Sequence, residues 1–178
     1  MKLKKGDKIE DLTLPSIDGT TFNLDSIKGK KAMISFYRYS SCPFCHLRMN
    51  EIINKTNEFG KNFVPIAICD CDFDDLVKNS EKHDGNMTIL CDDDRVYFDK
   101  FEVQNSFFRF LLGITIRVDR FLRAIAKGYN PVSNMSGAFL GLPADILIDE
   151  NGLVEKALYG AHTANHIPMQ EVIEFSNS

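Results

Sequence analysis

Two cysteines separated by two residues, Cys42-Pro43-Phe44-Cys45, are the part of this sequence most suited to chemistry. A Cys-x-x-Cys pair forms a disulfide reversibly when it sits where a strand passes into a helix. The unpaired N–H groups and positive dipole end of a helix N-terminus favour a thiolate over a thiol, which makes Cys42 the candidate nucleophile. With Arg38 nearby, its pKa is expected to fall from ~8.5 to ~4–7. Cys45, one turn further on, is the candidate resolving thiol, able to attack a mixed disulfide or a sulfenic acid on Cys42.

The flanking sequence supplies that junction. Residues 32–37 form an apolar run with the character of a buried strand, and Phe44, Leu47, Ile52, Ile53 and Phe59 have helical spacing over 43–59. Residues 63–69 make a second apolar run, expected to pair with the first in parallel. A helix is expected over 72–83, capped by Asp72, and a short strand over 87–90. Asp18-Gly19 and Glu150-Asn151-Gly152 signal hairpin turns, the second joining strands at 145–148 and 153–158. Pro168 suits the opening of a last helix. Alternating strands and helices, closed by a hairpin, predict an α/β protein with a mostly parallel sheet covered on both faces. Reactive groups in such sheets lie at the carboxyl ends of the strands, where Cys42 and Cys45 fall.

Other readings of the same residues stay open. Two buried structural cysteines are one. Zinc held by Cys42, Cys45, Cys69 and Cys71 is another, although Cys-x-Cys is a poor second pair for a tetrahedral ion. Cys69, Cys71 and Cys91 follow strands at the edge that bears the motif; they are expected to be small apolar core residues, with a thiol relay as the other reading. Arg38 either stabilises Cys42 or is an exposed cation. Arg48 and His46 are expected on the solvated face of the helix. His162 and His166 are four residues apart but have no nearby partner for a metal. Residues 104–127 mix Phe, Leu and Ile with four Arg and one Lys against Asp119 alone. This reads as a helical subdomain over the sheet, or as a basic amphipathic face for a membrane or partner.

Composition sets the outer limits. The 178 residues suffice for one compact domain, and 44% hydrophobic with 26% charged residues is ordinary for a soluble globular chain. A net charge of −4 argues against nucleic acid as a partner. No stretch is long and apolar enough to span a membrane. The first residues turn polar where a signal peptide needs its apolar core, and five cysteines fit no even disulfide framework, so a cytoplasmic, thiol-reducing setting is expected. No Gly-rich phosphate loop follows a strand, so no organic cofactor is expected.

Three stretches carry a resemblance to a known family. Phe36-Tyr37-Arg38-Tyr39-Ser40-Ser41-Cys42-Pro43-Phe44-Cys45 is similar to the Phe-Tyr-Arg-Gly-x-Trp-Cys-Pro-Tyr-Cys of peroxiredoxin-like proteins of the alkyl hydroperoxide reductase/thiol-specific antioxidant (AhpC/TSA) group, in the thioredoxin-like superfamily. Residues 141–152 resemble that family's proline-bearing loop with its following strand and turn. Residues 5–24 resemble its N-terminal hairpin. The resemblance implies a single thioredoxin-like domain over 1–178, three-layered with a mixed sheet, an N-terminal β-hairpin and a helical insert at about 104–128. It implies a redox enzyme that reduces peroxides or disulfides through Cys42 and Cys45, with Arg38 assisting. Pro143 would be a cis-proline offering the Leu142 backbone to substrate, with Tyr39 and Pro43 beside it. The implied partners are a hydroperoxide or protein disulfide and an external thioredoxin- or glutaredoxin-like dithiol, with a homodimer as a further expectation. The threonine that the family places three residues before its peroxidatic cysteine is replaced by Tyr39, which leaves peroxidase and disulfide reductase activity both open. The alternative from another class is a redox-sensitive binding module that contacts a membrane or protein through 104–127.

Overall fold

A computed structural model describes residues 1–38, 42–80, 87–103, 126 and 141–178. The N-terminal hairpin pairs β1 (Thr13–Pro15) with β2 (Thr21–Asn23). The main sheet is built from β3 (Lys31–Tyr37), β4 (Phe63–Cys69), β5 (Thr88–Cys91), β6 (Ala144–Ile148) and β7 (Val154–Tyr159), in the order β5-β4-β3-β6-β7. β3 lies parallel to β4, and β4 to β5, while β6 is antiparallel to both β3 and β7. The mixed sheet and the closing hairpin are those expected from the sequence. The β6–β7 turn rests on Gly152 at φ 77°, a conformation that glycine adopts without a steric penalty. Asp149 fastens the same turn by accepting the amides of Asn151 and Leu153.

The helices are α1 (Pro43–Asn54), α2 (Phe73–Ser80), α3 (Val96–Lys100) and α4 (Met169–Asn177). α1 stops five residues before the 59 expected, and a 3-10 turn over Thr56–Glu58 follows it. Asp72 accepts the amides of Asp74 and Asp75 at the start of α2, as its position before the helix predicts. α3 is absent from the sequence reading. It is a single turn whose first amides, those of Tyr97 and Phe98, are taken by the buried carboxylate of Asp92.

Because side chains alternate across a strand, each face of the sheet has its own core. Ala32, Ile34 and Phe36 of β3 join Ile66, Ile68 and Leu90 beneath the N-terminal hairpin and α3. On the opposite face Met33 and Leu147 meet Ile52 of α1 and Val172 of α4. Nearer the carboxyl ends of the parallel strands, Tyr37, Ala67, Cys69, Ile89 and Cys91 meet Cys42, Phe44, Cys45 and Met49. Apart from residue 126, the insert at 104–127, with its membrane or partner role, lies outside the described residues. Among those described, no helix is long and apolar enough to cross a membrane.

Candidate active site

β3 ends at Tyr37, and four residues beyond Arg38 the chain enters α1. Cys42 takes the N-cap, with extended backbone (φ −65°, ψ 116°), and Pro43 follows at the first helical position, where its missing N–H costs nothing. The Cys42 sulfur accepts the Cys45 amide at 3.4 Å, as a serine oxygen does in an ordinary cap. It also accepts Arg38 Nη2 at 2.8 Å. Arg38 is 1% exposed, so this is a buried, charge-assisted contact rather than the exposed cation that was the other reading.

These contacts set the chemistry. Burial pushes the Cys42 thiol up, but the Cys45 thiol, the Arg38 charge and the Cys45 amide outweigh it and bring its pKa to about 6. Cys45 moves the opposite way. Burial, its hydrogen bond to Cys42 and the Cys42 charge hold it well above the thiol range, opposed by Arg38. The pair is thus divided into a thiolate nucleophile and a protonated partner. Burial is the largest of the causes that raise Cys45, and the Cys42 charge adds to it.

A polar cluster that the sequence reading missed lies on the same face. Asp145 on β6 has a wholly buried side chain. It accepts Ser35 Oγ at 2.8 Å and the Ile167 amide at 2.8 Å, and His166 Nδ1 stands 3.1 Å from both of its oxygens. Arg48 Nη2 is 4.0 Å away and donates to the Ile167 carbonyl at 2.7 Å. Burial raises the Asp145 carboxyl, but His166, Arg48 and Ser35 hold its pKa at about 2. The Tyr37 ring packs 5.9 Å from His166, and its buried hydroxyl has no hydrogen-bond partner among the described residues. One signal was available in the sequence. Ser35 and Asp145 are polar residues inside apolar runs, and they prove to be register partners across β3 and β6.

Several expectations need correction. Arg48 is 6% and His46 5% exposed, not solvated. Arg48 falls in the inward stripe of α1 with Cys45, Met49 and Ile52, and it is accommodated there because a carboxylate and a free carbonyl face it. No cis peptide bond occurs among the described residues, so Leu142–Pro143 is trans. An extended entry into β6 suits the lower-energy trans form. Leu142 is buried at 3%, and the Pro143 carbonyl is taken by the Gly160 amide at 2.8 Å, so this backbone is not open to a strand-like substrate. The register Phe36↔Ala144 nonetheless carries Pro143 and Leu142 toward Tyr37 and Arg38. Tyr39 lies outside the described residues, as does the side chain of Pro43. No group of three or more His, Cys, Asp or Glu side chains converges to hold a metal among the described residues, so the zinc reading finds no cage.

The AhpC/TSA family model matches residues 5–157. No curated protein sequence matches. Among solved structures, the peroxidoxin BcpB of Mycobacterium tuberculosis is similar at a TM-score of 0.70 and 15% identity, with 97% of this chain and 96% of that one covered. A putative thiol:disulfide interchange protein DsbE of Chlorobium tepidum is similar at 0.64 and 21% identity, covering 98% and 99%. A thiol peroxidase of Chromobacterium violaceum aligns at 0.62 and 14% identity, covering 98% and 86%. These likenesses establish the thioredoxin-like fold.

Proposed function

From the premise that the chain belongs to the AhpC/TSA family, and is a thiol-dependent oxidoreductase, we propose that it reduces hydroperoxides through a Cys42–Cys45 dithiol/disulfide cycle. The observation that carries the reading is the pairing of the Cys42 sulfur with Arg38 and the Cys45 amide at a helix N-cap. The Cys42 thiolate attacks the peroxide oxygen, the O–O bond breaks, and an alcohol or water leaves with a proton. Cys42 is now a sulfenic acid. Cys45 attacks its sulfur, water leaves, and a disulfide remains. An external dithiol of the thioredoxin or glutaredoxin type takes up the disulfide bond and restores both thiols.

Arg38 has a second use in this cycle, since a guanidinium 2.8 Å from the sulfur is placed to stabilise negative charge on the departing oxygen. Leu142 and Pro143, which the register carries toward Tyr37 and Arg38, are assigned to the wall around the sulfur; the roles expected of Tyr39 and the Pro43 side chain fall outside the described residues. A protein disulfide is the second reading, and it rests on the missing threonine three residues before Cys42.

Stopped-flow mixing of reduced protein with hydrogen peroxide, cumene hydroperoxide and a disulfide-bonded protein distinguishes the two. Fast loss of two thiols with either peroxide, traced by mass spectrometry to a Cys42–Cys45 bond, is the expected result. Turnover that survives Cys42→Ser would overturn the cycle. Slow peroxide reaction with fast disulfide reduction would transfer the same residues to the second reading.

A further inference from the structure

Cys69 and Cys91 are register partners on the neighbouring parallel strands β4 and β5. Adjacent strands lie about 4.8 Å apart, inside the ~4.4–6.8 Å between Cα atoms that a disulfide spans. Register partners in a parallel pair point to the same face. Here that face is the one bearing α1, and both sulfurs pack in one buried cluster with Cys42 and Cys45. Both residues are free thiols, 1% and 0% exposed. The Cys91 thiol donates to the Cys71 carbonyl at 3.0 Å, which holds it at the strand end. A third register position continues the row: Tyr37 on β3 pairs with Cys69. Two cysteines side by side at the reactive edge are more than the core-filling that a single buried cysteine supplies.

Resting on the cycle above, we propose that Cys69 and Cys91 form a second dithiol that reduces the Cys42–Cys45 disulfide from inside the protein and becomes a disulfide in its place. Cys69 attacks Cys42, the Cys42–Cys45 bond breaks, and Cys45 leaves, taking the proton that Cys69 gives up. Cys91 then attacks Cys69 of the Cys42–Cys69 bond. Cys42 leaves as the thiolate that Arg38 stabilises, and the proton of Cys91 goes to water. One disulfide has been reduced and one formed, so electrons balance without a further reactant. Cys69 and Cys91 are held protonated while Cys42 is the thiolate, so Cys42 meets an external oxidant first and their route to oxidation runs through it. Burial holds Cys69 strongly protonated, and the Cys42 charge adds to this until Cys42 enters a disulfide. Cys91 is raised to about 12, by burial first and by Asp93, Asp72 and Asp92 after it.

The consequence is capacity. A chain deprived of reductant turns over two equivalents of hydroperoxide, not one. The test is a stepwise anaerobic titration of the reduced full chain with hydrogen peroxide, followed by denaturing alkylation, thiol counting and disulfide mapping. Expected are four thiols lost at two equivalents, Cys42–Cys45 and Cys69–Cys91 bonds, and full recovery with dithiothreitol. Cys91→Ala is expected to halve the capacity, and the wild-type map stands even if that variant folds poorly. A Cys42–Cys45 bond with Cys69 and Cys91 still alkylated overturns this inference alone. Absence of both bonds overturns it together with the cycle on which it rests.

Discussion

Arg38 Nη2 stands 2.8 Å from the Cys42 sulfur, a guanidinium and a thiol buried against one another at the first turn of a helix. The contact suits a charged sulfur. A neutral thiol would not compensate the burial of an arginine, whereas a thiolate does. The two residues therefore hold each other in their ionised forms.

The first expectation is the pH profile of alkylation at Cys42. Only the thiolate reacts, so the rate with iodoacetamide rises with pH through about 6 and is level by pH 8, about nine-tenths complete at pH 7. Arg38→Met is expected to raise the midpoint by ~1–2 units, and Arg38→Lys by less, since it keeps the charge. An unchanged midpoint in Arg38→Met would remove Arg38 from the site.

The same pairing links thiol state to stability. The Cys42 pKa in the folded protein, about 6, lies below its ordinary 9.0, so thiolate formation stabilises the fold. This contribution is complete above pH 9 and is lost as pH falls through 6. Urea midpoints of the reduced protein are therefore expected to rise between pH 6 and 8 relative to Cys42→Ser. Parallel curves for the two would contradict it.

Asp145 has the matching dependence at acid pH. Its carboxyl is held at about 2 against an ordinary 3.8, so the stability it gives is complete above pH 4 and disappears between 4 and 2. The amount is about 2 kcal/mol. Asp145→Ala, which leaves Ser35, His166, Arg48 and the Ile167 amide facing an empty space, is expected to cost on the order of 3–5 kcal/mol in chemical denaturation. A loss under 1 kcal/mol would mean that the cluster re-forms without its anion.

Gly160 meets Pro143 closely. A Cβ there would stand 2.9 Å from both the Pro143 ring and its carbonyl oxygen. Gly160→Ala is expected to displace the start of β6, lowering stability by ~1–3 kcal/mol and slowing the Cys42 reaction. Normal kinetics in a destabilised Gly160→Ala would separate Pro143 from the site wall.

Local signals in the sequence were enough for the redox junction and much of the sheet. The Cys-Pro-Phe-Cys motif marks the helix start because proline and an N-cap side chain act within one turn. Residues 32–37, 63–69 and 145–148 read as strands because they are largely buried on both faces and so mostly apolar. What was not legible depends on partners distant in sequence. Arg48 has the composition of a solvated helix face and is buried only because Asp145 and Ile167, about a hundred residues on, arrive opposite it. His166 looked unpartnered for the same reason. α3 is too short to show periodicity, and its cap, Asp92, bonds to amides five and six residues ahead. The cis bond expected at Pro143 came from the family resemblance, and the trans bond shows that the resemblance does not fix the isomer.

The surroundings of Cys42 and the ion cluster on the same face are made at different times. The groups that lower the Cys42 thiol, Arg38 and the Cys45 amide and thiol, lie within four residues of it in the chain. The ion cluster beneath belongs to a later part: Asp145 follows Ser35 by 110 residues, and His166 follows Asp145 by 21 more. At ~5–20 residues per second, a ribosome takes roughly 5–20 s to pass from the nucleophile to the carboxylate. The sheet's central strand waits that long for its antiparallel neighbour. A newly emerging chain thus carries its reactive thiol before the layer that packs it, and oxidation during synthesis is the hazard this topology creates.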